Sequence, residues 1–159
     1  KSNSCLEDDS ERSETYIHHI CRANVGRRVR GSILMYLDPD APLIVVSVTL
    51  QGTSGLRELD MALDTGATYV MIPTDVAFES GDDLEGSVRR IDIATANSVE
   101  SAPIINIERV HALDMDARDV DVVCMTLPSE SYVQGLLGLS FLKRFDMDIH
   151  FTQRVLRIR

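Results

Sequence analysis

The chain has no tryptophan, only three cysteines, five prolines and four tyrosines, and few residues of positive charge. Cys5, Cys21 and Cys124 form no C-x-x-C pair, and the histidines do not fall at metal-ligand spacing, which argues against a zinc site or a disulfide framework. Cys124 lies in the apolar run Val122-Val123-Cys124-Met125, where a free thiol behaves as a small hydrophobe. The expectation is a reduced setting such as the cytoplasm. No stretch approaches the roughly eighteen consecutive apolar residues of a membrane helix, and no signal-peptide pattern is present. The first residue is Lys1 rather than Met, so an upstream segment removed from the chain is an expectation too.

Sixteen basic against 25 acidic residues give a net charge of −9, which opposes nonspecific binding to nucleic acid or anionic membrane. Also missing are a glycine-rich nucleotide loop, a G-x-S-x-G elbow and a Cys–His nucleophile arrangement. What remains is a 159-residue chain, 44% hydrophobic, long enough for one domain with a real core.

Residues 1 to 16 are polar and acidic with no periodicity that would bury a face, which predicts an arm rather than an element. The wider segment 1–40 reads as an N-terminal extension, partly flexible, and 41–159 as the functional domain. Within the extension, Arg22, Arg27, Arg28 and Arg30 suit pairing with the acidic arm or a partner protomer. Residues 33–37 read as a strand, broken by Asp38-Pro39-Asp40-Ala41-Pro42.

Beyond that break the pattern is mostly β. Strands are predicted over 43–50 and 56–63, joined by a turn at 51–55, and again over 69–72 before Pro73. Thr74 is placed to cap a short helix over 75–78. Residues 88–95 and 99–107 flank Ala96-Asn97-Ser98 as a hairpin. Strands at 110–113 and 120–127 surround an acidic turn, and 155–158 closes the chain.

One site stands out from this background. The apolar run ending in Ala62-Leu63 delivers Asp64 into Thr65-Gly66-Ala67, so a carboxylate sits at a strand end, beside a hydroxyl and a glycine whose bare backbone permits close approach. Held by such hydrogen bonds, a carboxylate can act on water. An Asp-Thr/Ser-Gly triplet alone arises by chance in roughly one chain in fifteen of this length. A second motif adds weight: Gly135-Leu136-Leu137-Gly138-Leu139-Ser140-Phe141-Leu142, followed by 147–151 as a strand.

These two motifs, in this order, resemble the retropepsin-like aspartic proteases, and most closely in look the small bacterial members with a DTGA loop, an LLG-x-x-FL block and a terminal hairpin. The resemblance runs from about Leu43 to Arg159. It implies an all-β acid-protease fold, a closed barrel or folded sheet with one short C-terminal helix and one half-site per chain. Asp64 is then the catalytic acid/base, with Thr65 and Gly66 orienting it and Thr65 bracing the loop across a dimer. Leu136, Leu137 and Gly138 support the loop. Ala67 and the flap tip Ala96, Asn97 and Ser98 contact substrate, although family flaps carry more glycine at that tip.

The chemistry needs two carboxylates sharing one proton. Only one Asp-Thr-Gly is present, and Asp38, Asp60, Asp75, Asp119 and Asp146 lack the pattern of a second. A homodimer is therefore implied, with each protomer giving its Asp64 across a two-fold axis. The reading is an aspartic endopeptidase that hydrolyses an extended peptide and needs no cofactor. Two rivals remain: a catalytically idle module of the same fold that dimerises or binds peptide, and a monomeric fragment of a larger protein.

Two weaker patterns fail. Residues 114–125 faintly suggest a calcium loop, but Arg118, Asp119 and Met125 occupy positions that need an oxygen ligand, a glycine and a glutamate. His18-His19-x-Cys21 lacks a fourth ligand, and adjacent side chains on an extended segment point oppositely. No metal is expected.

Overall fold

A computed structural model of the chain describes residues 28–29, 32–38, 40–79, 89–94, 99–128 and 130–159. The expected arm over residues 1–16, the His18/Cys21 pattern and the predicted flap tip 96–98 lie outside these residues.

The elements in chain order are β1 (Arg28–Val29), β2 (Ser32–Tyr36), β3 (Val45–Gly52), β4 (Gly55–Leu63), β5 (Val70–Ile72), α1 (Thr74–Glu79), β6 (Arg89–Ala94) and β7 (Val99–Ala112). They continue with β8 (Met115–Cys124), β9 (Gly135–Leu137), α2 (Leu139–Leu142), β10 (Met147–His150) and β11 (Val155–Ile158). The larger sheet runs β3-β4-β9-β5-β8-β7-β6, and β3 also pairs with β7, so six strands close on themselves while β6 stays outside at an edge. The all-β expectation holds, in its closed-barrel form. Two short helices are described where the resemblance implied one at the C-terminus; the other, α1, is the turn of helix predicted after Pro73.

Alternation explains the closure. Leu59 and Met61 of β4, Val70 and Ile72 of β5, Val122 and Cys124 of β8 and Leu137 of β9 share one buried core, while the residues alternating with them turn to the other face of the sheet. Phe141 of α2 plugs the same core, and its ring lies 5.1 Å from that of Phe145.

A smaller antiparallel sheet, β1-β2-β11-β10, packs beside the barrel. Ile33 pairs with Ile158 and Met35 with Leu156, and all four side chains are buried in the main core.

The sequence reading of residues 114–121 differs from what is observed. β7 is continuous through Ala112, and β8 begins at Met115, so 114–121 is mostly strand rather than acidic turn. The turn is only Leu113-Asp114, both with φ of 57°, a two-residue hairpin connection in the left-handed region whose twist matches that of the flanking strands. The acidic side chains that suggested a loop line the outer face of β8. Asp116 pairs with Arg109 at 2.7 Å and Asp121 with Arg89 at 2.7 Å.

Candidate active site

Asp64 follows β4 directly. Its N–H donates to the carbonyl of Leu137 at 3.1 Å, and the N–H of Leu63 donates to Ile44 at 2.8 Å, which pins the strand end on both sides. β4 and β9 run parallel, with Leu63 opposite Leu137, so the Leu136-Leu137-Gly138 block lies beside the Asp64 loop despite its distance in sequence.

Within the loop, the N–H of Gly66 donates to Oδ1 of Asp64 at 2.8 Å. A backbone donor aimed at one carboxylate oxygen fixes its orientation and leaves the other to meet water or substrate. Asp64 is half-buried, and Thr65 and Gly66 are exposed. An Asp with one face open to solvent and one held by backbone is suited to proton transfer at a reacting atom.

Three contacts lock the far side of the loop. The N–H of Leu139 donates to the carbonyl of Ala67 at 2.8 Å, at the start of α2. The buried hydroxyl of Ser140 accepts the N–H of Val70 at 2.8 Å. Gly138 lets these segments approach: a Cβ there would stand 2.1 Å from the carbonyl oxygen of Tyr69 and 2.8 Å from that of Ala67. Gly135, at the start of β9, permits a second close approach, since a Cβ there would meet the carbonyl oxygen of Met71 at 2.3 Å.

A cleft of about 440 Å³ opens beside Asp64. The loop and β5 supply Gly66, Ala67, Thr68, Tyr69 and Met71; β6 and β8 supply Ile91, Asp92, Ile93 and Val123. Its apolar walls are anchored: Tyr69, Ile91 and Ile93 pack on a cluster formed by Ala102, Ile104 and Val123.

Asp64, Thr65, Gly66, Ala67 and the 136–138 block are thus brought together. Tyr69, Met71, Ile91, Ile93, Val123 and Ser140 do not stand out from sequence. Their one legible signal is alternation over 69–72, which puts Met71 on the face opposite Val70 and Ile72. Among the described residues no group of three or more His, Cys, Asp or Glu is placed to hold a metal ion, and no helix is long and apolar enough to cross a membrane.

The family model described as "gag-polyprotein putative aspartyl protease" matches residues 47–144. The chain belongs to this aspartyl protease family. Among solved structures it is similar to a retropepsin-like aspartic protease from Rickettsia conorii, with a TM-score of 0.60 and 20% identity, covering 80% of this chain and 89% of that one. Comparison with curated protein sequences gives no match.

Proposed function

We propose that the chain is an aspartic endopeptidase, active as a homodimer in which two Asp64 carboxylates face each other across a two-fold axis. The observation that carries this reading is the Asp64 carboxylate, held by the Gly66 N–H at 2.8 Å on the rim of an apolar cleft. A chain with one such loop has half a site, so the second carboxylate comes from a second copy.

Like charges about 3 Å apart do not both ionise, so the pair holds one proton. The ionised member takes a proton from water as its oxygen attacks the scissile carbonyl carbon. The protonated member donates to the carbonyl oxygen. When the tetrahedral species collapses, the C–N bond breaks, the nitrogen takes up a proton, and a carboxyl and an amine are released. No covalent intermediate forms.

The substrate is an extended peptide. β6 is an edge strand, paired only with β7 among the described residues, and it borders the same cleft as Asp64. A peptide laid there can add as a further strand, its side chains entering the cleft alternately. In sequence, the proposed flap tip 96–98 follows this strand. Leu136, Leu137 and Gly138 support the loop, and Thr65 braces it across the dimer.

The test is cleavage of casein from about pH 3 to 7, a range that brackets titration of a shared-proton pair, by the wild type and Asp64→Asn, with and without pepstatin. Sedimentation of both proteins reads the dimer. Cleavage that pepstatin blocks, and that falls by on the order of 10²–10⁴-fold in a still dimeric Asp64→Asn protein, is expected. A folded dimer without cleavage at any pH, or cleavage by a strict monomer, overturns the reading.

A further inference from the structure

Among the large apolar side chains of the cleft, Met71 is held differently from the rest. Val70 and Ile72 on either side of it are fully buried in the barrel, so alternation turns Met71 outward, where it lines the cleft beside Asp64. In the sheet it lies between Leu136 of β9 and Val123 of β8. Leu136 packs on the cluster of Val45, Ala62 and Val133, and Val123 belongs to the cluster of Ala102 and Ile104. Among the described residues Met71 belongs to neither cluster, nor to the main core. Its backbone is fixed by the close approach of Gly135, while its side chain is half-buried at the seam of the two clusters.

A thioether chain has three rotatable bonds and reshapes easily around different partners, whereas side chains branched at Cβ are stiff. Of the other large apolar walls, Val123 belongs to the cluster behind the cleft, and Tyr69, Ile91 and Ile93 pack against that cluster. The cleft therefore combines a rigid wall with one adjustable residue.

We propose that Met71 sets the breadth of side-chain selection: it is the deformable floor that lets the cleft accept apolar substrate residues of different size and shape. The proposal rests on the endopeptidase reading above. A rigid apolar pocket separates side chains that differ by one methylene by about 10–200-fold. A floor that reshapes gives most of that discrimination away.

The test uses octapeptides of alanine and serine in which Val, Leu, Met or Phe occupies each position in turn, cleaved by the full chain as wild type, Met71→Ile and Met71→Leu. At the position that enters the cleft, wild type is expected to cleave the four within about fivefold of one another in kcat/KM, well inside the spread a rigid pocket imposes. Met71→Ile, of similar volume but branched at Cβ, is expected to spread them by more than about tenfold, with Phe losing most. Met71→Leu is expected to keep the broad profile. A wild type already selective for one size, or an unchanged profile in Met71→Ile, overturns the proposal. Equal narrowing by both variants does so as well, since that is general damage to the strand. Should no peptide be cleaved at any pH, the endopeptidase reading fails by itself. The labelled peptides are then titrated by fluorescence anisotropy: broad binding by wild type and narrowed binding by Met71→Ile sustain the role of Met71, and absence of binding ends it.

Discussion

The carbonyl oxygen of Tyr69 occupies the space that a side chain on Gly138 would need, only 2.1 Å from where its Cβ would be. The glycine is what allows the C-terminal block to close on the back of the Asp64 loop, because any larger residue meets backbone that has no rotamer to escape through.

Gly138→Ala is therefore expected to cost more than ~3 kcal/mol, the upper end of the range for overpacking, because two carbonyls must move rather than one flexible side chain. Urea unfolding measures it. Gly55→Ala is the control: its φ of 129° strains a side chain, but nothing lies within 4 Å, and it sits at the β3–β4 turn. Its cost is expected to be smaller, with cleavage unchanged.

Ser140→Ala removes the hydroxyl that accepts the Val70 N–H, in a buried position where the serine is 6% exposed. A buried donor left unsatisfied costs about 1–3 kcal/mol. The same change loosens the strand that follows the loop, so turnover is expected to fall more than global stability alone explains. Chemical denaturation and kcat measured side by side check both.

Phe141→Ala is expected to cost about 3–5 kcal/mol, since the ring is fully buried at the point where α2 plugs the barrel. Arg144, just beyond α2, donates to the carbonyls of Ser140, Arg118 and Asp119 and so ties the helix to β8. Arg144→Ala is expected to be milder than Phe141→Ala, because water replaces part of what is lost at these more exposed groups. Thermal unfolding ranks the two.

The hydrogen bond from Arg109 holds the Asp116 carboxyl down to about 2, with a smaller contribution from His111 and against the opposing effect of burial. A depressed carboxylate contributes stability above its unfolded value, and that contribution is lost as pH falls through the folded one. For Asp116 the window runs from the ordinary 3.8 down to about 2. At this exposure the contribution is small. Carboxyl chemical shifts should show Asp116 titrating low in the wild type and returning toward its ordinary value in Arg109→Ala.

Much of the fold was legible because strand alternation is a local signal. The runs ending at Leu63 and Ile72 carry a buried face, and Asp64 and Pro73 mark where each pattern stops. The candidate acid stood out for the same reason, as a charge placed where an apolar strand ends. The stretch 114–121 resembles a turn in sequence because its charges are dense enough to suggest full solvation. On a strand with one wet face, Asp116 and Asp121 instead meet Arg109 and Arg89 on other strands, and only the pairing of β6, β7 and β8 brings those partners within reach.

The sequence by itself determined the strand-and-turn grammar, the single Asp-Thr-Gly per chain and the acidic balance, since each depends on residue type and near neighbours. Tertiary structure decided the rest. Leu137 is set against Leu63 and Ser140 against Val70, and Met71 is left half-buried between two clusters it does not join. β2 is carried across to pair with β11 at the far end of the chain. These are contacts between segments far apart in sequence, chosen by how the barrel closes, and no local period encodes them.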